Sequence, residues 1–433
     1  MIISLPHPRI SIAFLVLLAS SAVNLTYSQT TLDLPIRSTI STPAPMSGIV
    51  LWSDSPNVAT DAVTLEFRYC GYDEVVQPDG TYDFSFIDQL LDQIAARNHQ
   101  AILRFHFVYP GKPTTVPKSI RELPNYNETV AKSEGKTTSF CDWSHDELKR
   151  FTLEFYQRFA HRYDRDRRIA YLQTGFGLWG EYHIYSGPHE LGKTFPDKEF
   201  QAEFIRHMDS CFENLTWSVS VDAVDPQYSP LKNNPSLLGI NFGVFDDSFL
   251  CEEHPKYNAV NWKSMGTDRW QRAPGGGEFS YYNNRDQRLA LSPSGPNGVP
   301  FEKDAARFHI TYMIGNDQPK YQSLDRIKDA GMAIGYRFRI IQVQAILEHP
   351  DSKTVTVIIT ATNDGVAPIY RDAYFAAAGI RASESLLGLL PGQECVFTIE
   401  SVPRPGMKSI TIQSDWVLPS QTIPFAGLPT EAS

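Results

Sequence analysis

The sequence predicts an α/β protein: a (β/α)8 barrel of the TIM type followed by a C-terminal all-β sandwich. Three observations predict it. Short apolar runs alternate with amphipathic helical patterns over roughly 300 residues, which implies a mostly parallel sheet. Several of these runs end in polar or aromatic residues, as expected where a barrel gathers its site at the C-terminal ends of its strands. From about Gly335 the pattern changes to period-two alternation with no helix between strands.

The elements follow in order. An apolar run from Ile10 to Ala19, preceded by Arg9 and followed by small residues, reads as a signal peptide over residues 1–28. It is too short for a good membrane span. A secreted or periplasmic protein is therefore expected, with no integral membrane segment after cleavage. Residues 29–45 form a Pro/Ser/Thr-rich lead, residues 46–334 the barrel and residues 335–433 the sandwich. "GIVLWSD" and "AVTLEFRYC" read as the first barrel strands. "DFSFIDQLLDQIAARN" places Ile87, Leu90, Leu91, Ile94 and Ala95 on one helical face, with Asp83 as its cap. After the strand "QAILRFHFVYP", Ser144 and Glu147 suggest a capping box for a helix buried through Leu148, Phe151, Phe155 and Phe159. "RIAYLQTGFG" is the next strand. "DKEFQAEFIRHMDSCFENL" is a third helix, and "TWSVSVD", "LLGINFGVFDD" and "RFHITYMIG" are later strands. "TVTVIITATNDG", "CVFTIESV" and "KSITIQSDWVL" then supply the sandwich.

Composition narrows the function classes. With 42% hydrophobic and 20% charged residues the chain is an ordinary folded protein. A formal net charge of -10 argues against a general nucleic-acid binder. The five cysteines are scattered without a C-x-x-C pair, so a thiolate zinc cage is not expected, while one or two disulfides and a free thiol are allowed.

The stretch "YLQTGFGLWGEYHIYSGP" contains Gly175-x-Gly177-x-x-Gly180, the spacing of a dinucleotide-binding turn. That reading needs a helix starting among the glycines, and Gly187-Pro188 with no apolar period rules one out. As a strand end the segment makes better sense. Its glycines would let the backbone approach a ligand, Trp179 would offer a flat apolar face, and Glu181 and His183 alternate onto one side. A second segment, "WQRAPGGGEFSYYNN", places Glu278 after three glycines and before Tyr281. Glycosidic cleavage by the usual route needs two carboxyl groups flanking the bond, one protonated and one ionised. Two glutamates at separate strand ends meet that requirement; either alone also fits a solvated turn.

Other residues complete the candidate set. Asp222, Asp246 and Asp247 fall at strand ends, as ligand-binding carboxylates, as the second catalytic group of an inverting enzyme, or as turn caps. Arg104 and His106 share a strand face. With Arg68 and His183 they would form a basic rim for uronate or sulfate groups, or serve as charge partners for the glutamates. Trp52, Trp143, Trp262 and Trp270 are sugar platforms or simple packing. A metal site of His106, His183 and Asp222 has no His-x-x-x-His spacing behind it, so no metal or other cofactor is expected.

Six segments, "GFGLWGEYH", "LEFRYCGYDE", "GINFGVFDDSF", "PGGGEF", "FHITYMIGND" and "YRFRI…TVTVIITATNDGVAPIYRD", resemble the secreted domain-of-unknown-function family 4832. More distantly the chain is similar to clan-A glycoside hydrolases such as the family 42 β-galactosidases. The resemblance implies an acid/base glutamate at the end of strand four, here Glu181, and a nucleophile at the end of strand seven, here Glu278. It also implies an arginine near the end of strand two bonded to the nucleophile, here Arg68. One departure matters: the clan's asparagine before the acid/base is Gly180. The expectation is a glycoside hydrolase acting on an oligo- or polysaccharide. A polysaccharide lyase or sugar dehydratase, a non-catalytic glycan-binding protein and a purely structural surface protein stay open.

Overall fold

The computed structural model describes residues 29–427, so the expected signal peptide lies outside the described residues. Strand β1 (Thr30–Asp33) precedes the barrel. The barrel itself uses β2 (Gly48–Trp52), β3 (Leu65–Gly71) and β4 (Gln100–His106) as its first three strands. A hairpin of β5 (Thr129–Ser133) and β6 (Lys136–Phe140) interrupts the series. Then come β7 (Ile169–Gln173), β8 (Trp217–Ser220), β9 (Gly243–Phe249), β10 (Gly275–Phe279) and β11 (Tyr312–Ile314). All eight pair in parallel, and β11 returns to β2 to close the barrel. Glu278 thus lies on the seventh barrel strand.

The strands read as continuous apolar runs because both of their faces are covered. Along β4, every residue of which is buried, Leu103 and Phe105 face the helices while Ile102 and Arg104 face inward. The helix Asp146–Tyr163 buries Leu148, Phe151, Phe155 and Phe159 against that outer face, each worth roughly 1.5–3 kcal/mol. Its cap differs from expectation. His145 accepts the Glu147 N–H, and Ser144 instead donates to Asp142, whose carboxylate shapes the approach. Asp83 likewise accepts from Ser85 N–H, but Phe84 occupies the cap of the helix Ser85–Ala96.

The C-terminal strands β12 (Phe338–Leu347), β13 (Thr354–Asn363), β14 (Tyr374–Ala377), β15 (Ile380–Arg381), β16 (Glu394–Pro403), β17 (Ile410–Gln413) and β18 (Phe425–Ala426) make two antiparallel-dominated sheets. One runs β1-β12-β13-β16 with β18 beside β12; the other runs β15-β14-β17. Phe375 and Phe397 meet across them with ring centres 5.1 Å apart. The lead segment supplies β1 to this sandwich. Inward residues of the barrel floor, among them Leu65, Phe67, Ile102 and Tyr312, join Phe338, Ile359 and Phe375 in one apolar core. All five cysteines are unpaired.

Candidate active site at the barrel mouth

Three inward positions above that floor build the site. Parallel register sets Tyr69 of β3 opposite Arg104 of β4, and Arg104 opposite Gln173 of β7. Arg104 is fully buried, with its guanidinium carbon 4.3 Å from the Phe245 ring centre. Its Nε donates to Gln173 Oε1 at 2.7 Å, and Gln173 in turn donates to Tyr312 Oη. Nη1 reaches Tyr69 Oη at 3.3 Å, Glu181 Oε1 at 3.0 Å and Glu278 Oε1 at 3.9 Å. The two glutamate oxygens therefore lie within about 7 Å of one another, measured against about 5–9.5 Å for paired carboxyls in glycosidases. Gly276, two places before Glu278 on the same strand face, leaves the space filled by the Tyr312 ring; a Cβ there would sit 2.3 Å from it.

Glu181 does not sit on a strand end. It lies beyond Gln173 in a loop that folds onto itself: Gly177 N–H donates to Glu181 O at 2.7 Å and Leu178 N–H to His183 O at 3.1 Å. The Trp179 N–H reaches Val108 O, and Ser220 Oγ takes the Tyr182 N–H. The glycines serve this fold-back and not ligand clearance. A Cβ on Gly177 would lie 1.9 Å from His183 O, and one on Gly175 would lie 2.5 Å from Glu181 O. Gly180 has φ +73°, and its Cβ would meet Phe105 O at 2.5 Å, so the clan's asparagine has no room here. Trp179 shares the left-handed conformation at φ +53°, a strained setting for a bulky residue.

The loop does bring Glu181 and His183 to one side, with Asp247 of β9; their ligand-type atoms all lie within 4.8 Å. His183 Nδ1 pairs with Asp222 at 3.3 Å and Nε2 faces Asp247 at 3.8 Å. Burial opposes charge on His183, but Asp222 and then Asp247 override it and raise the imidazole to about 10. For Asp222 burial is again outweighed, and His183 holds its carboxyl below the usual value. Burial raises Asp247 to about 6, with Asp222 adding to it. Burial, then Asp247, pushes Glu181 well above the carboxylate range against the pull of Arg104. Glu278 rises to about 7 through burial, which Arg104 opposes.

Several expectations are corrected. Arg68 pairs with Asp54 and Glu74, each at 3.8 Å, and lies over Phe86 of the outer helix; the arginine beside Glu278 is Arg104. No basic rim forms. Arg104 is buried as a charge partner of the glutamates, and burial followed by Lys112 drives His106 down to about 4, leaving it neutral. The grouping His106, His183 and Asp222 is not assembled; among the described residues Glu181, His183 and Asp247 are the three ligand-type side chains that are. Asp246 points away from the mouth, to Asn258, Ser248 N–H and His254. Trp143 and Trp262 are buried packing residues, and Trp270 stacks on His309 at 3.6 Å. Trp52 lines a pocket of about 310 Å³ with Tyr69, His106 and Tyr109. His183, Asp222 and Tyr185 line a second of about 670 Å³. Tyr281 follows β10, half exposed.

Sequence reasoning missed Tyr69, Gln173 and Phe245, whose roles depend on register. It also missed the hairpin β5–β6. The hairpin tip reaches the mouth, where Tyr185 Oη donates to Glu134 and the Glu134 N–H donates to Ser186 Oγ at 2.8 Å. Tyr185 in turn stacks on Trp179, ring centres 5.9 Å apart.

No family model and no curated protein matches the chain. Solved structures match at low identity. An α-galactosidase from Thermus thermophilus shares 13% identity over 73% of this chain and 67% of its own, with a TM-score of 0.37. A glycoside hydrolase family 30 subfamily 8 xylanase from Clostridium acetobutylicum shares 10% over 84% and 94%, with a TM-score of 0.37. A β-galactosidase from Rahnella sp. R3 shares 10% over 71% and 59%, with a TM-score of 0.41. These are similarities of general outline, too distant to carry the role of any residue across.

Proposed function

We propose that the protein is a secreted glycoside hydrolase that cleaves an oligo- or polysaccharide at the barrel mouth. Glu181 is the acid/base and Glu278 the second carboxylate. One observation carries this reading: the same Arg104 nitrogen holds both glutamates, at 3.0 and 3.9 Å. A limit of about 7 Å between their Oε1 atoms is compatible with the carboxyl spacing of retaining and of inverting enzymes alike. Their environments also separate their roles. Glu181 is pushed furthest toward the neutral acid that must protonate a leaving oxygen. Glu278, eased by Arg104, ionises above about 7 and is the group to attack the anomeric carbon. In the second half of the reaction Glu181, now ionised, takes the proton from the attacking water. With Gly180 in place of the clan's asparagine, any contact to the sugar 2-hydroxyl comes from another residue.

The six quoted segments support membership of family 4832 and a distant tie to clan A, and the N-terminal apolar run supports export. The carbohydrate partner follows from the carboxylate pair. A lyase would need His183 or His106 as its base; His183 is held protonated by its two aspartates, so the neutral His106 is the base that such a reading would require. The test is a panel of oligosaccharides and aryl glycosides with wild type, Glu181→Gln and Glu278→Gln. Reducing-end release lost in both variants supports the reading. Turnover retained by either, or an unsaturated product absorbing in the ultraviolet, sinks it.

A further inference from the structure

The Glu181, His183 and Asp247 grouping has features that proton transfer to a glycoside does not use. His183 Nε2 stands 3.8 Å from Asp247, beyond hydrogen-bond reach. Two donors each about 2.1 Å from one ion are separated by about 3–4 Å. The other imidazole nitrogen forms an ion pair with Asp222 at 3.3 Å, which puts a carboxylate in the outer position from which metal-binding histidines are commonly oriented. Glu181 is 2% exposed; its Oε1 accepts from Arg104 Nη1, and its Oε2 has no hydrogen-bond partner. Finally, four carboxylates gather on two cations: Glu181 and Glu278 on Arg104, and Asp222 and Asp247 on His183.

The geometry points to a binding site for a divalent first-row transition ion, Zn²⁺ or Mn²⁺, ligated by Glu181, His183 and Asp247 with Asp222 behind the imidazole. Two carboxylates with one imidazole suit these ions better than Ca²⁺ or Mg²⁺, which favour all-oxygen shells. This goes beyond the hydrolase reading and does not require it. Occupancy would hold Glu181 as a ligand and withdraw it from proton transfer.

The full chain, stripped with a chelator, is titrated with ZnCl₂ and MnCl₂ by calorimetry, with Mn²⁺ also followed by electron paramagnetic resonance. One ion per chain is expected. Asp222→Asn should weaken binding by about 10-fold or more, while His183→Ala and Asp247→Asn abolish it. Glu302→Gln, which removes a carboxylate paired with Arg326 on the outer helices, should leave it unchanged. Melting curves of the ion-free variants establish that each is folded; if His183→Ala is not, His183→Gln replaces it. Absence of saturable uptake, uptake that survives loss of His183, or uptake of Ca²⁺ alone overturns the site. Hydrolysis measured in chelator is a separate readout, so failure of the metal site and failure of the hydrolase reading are told apart.

Discussion

Glu66 and Glu181 are both buried glutamates facing an arginine and a histidine, one near the strand starts and the other beyond the strand ends. Around Glu66 the set is complete. Arg97 donates to both carboxylate oxygens at 2.7 and 2.5 Å, and His99 Nδ1 lies 2.8 Å away. Around Glu181 it is not. Arg104 is divided among Gln173, Tyr69 and two glutamates, one oxygen is orphaned, and the histidine belongs to two aspartates. The same three residue types make a closed bolt at one end of the barrel and an incompletely bonded cluster at the other. Completion of hydrogen bonding, and not composition, separates them.

Four perturbations bear on that contrast, in descending order of expected effect. Glu181→Gln should cut kcat/KM by about 10²–10⁴-fold while leaving the melting temperature unchanged or higher, since an already neutral-leaning carboxyl is removed. A loss of stability comparable to that of a Glu66 variant would break the contrast. Glu66→Ala should do the reverse, costing about 3–5 kcal/mol in denaturant unfolding by stranding Arg97, with turnover per folded molecule intact. Next is pH. Glu278 is raised in the fold from 4.5 to about 7. It therefore favours the folded state below its unfolded value, and that advantage is lost as pH climbs through about 7. Stability should fall across this window in wild type and fall less in Glu278→Gln, whereas kcat/KM should rise across it as Glu278 ionises. A kcat/KM that is flat from pH 5 to 8 would remove Glu278 from the chemistry. Smallest, Tyr185→Phe deletes the bond to Glu134 and should cost about 1 kcal/mol or less, read by calorimetry.

How far these features could be read beforehand depended on whether the deciding interaction was local. Barrel strands were legible because burial on both faces leaves continuous apolar runs, and Glu278 because three glycines and a carboxylate share one short strand. The choice between Arg68 and Arg104 was not legible. Both lie near strand ends, but Tyr69 pairs with Arg104 and Arg68 with Leu103, so only register reveals which guanidinium points inward. The glycines of "GFGLWG" were visible and their purpose was not. A residue that must be small looks alike whether a ligand or the chain's own carbonyl presses on it; here it is His183 O and Phe105 O. The Ser144 box failed for a related reason, since Asp142 two places earlier captured the serine first.

Strands β1 and β18 both lie along the same edge of β12, β1 antiparallel over Gln344–Leu347 and β18 parallel at Phe338 and Arg339. That arrangement has a mechanical consequence. Tension applied between residues 29 and 427 is borne first by the hydrogen bonds of one sheet edge, and the eight-stranded barrel lies outside the direct load path. Pulled between these points, the molecule should open first at the edge formed by β1, β12 and β18 while the Arg104 cluster stays assembled.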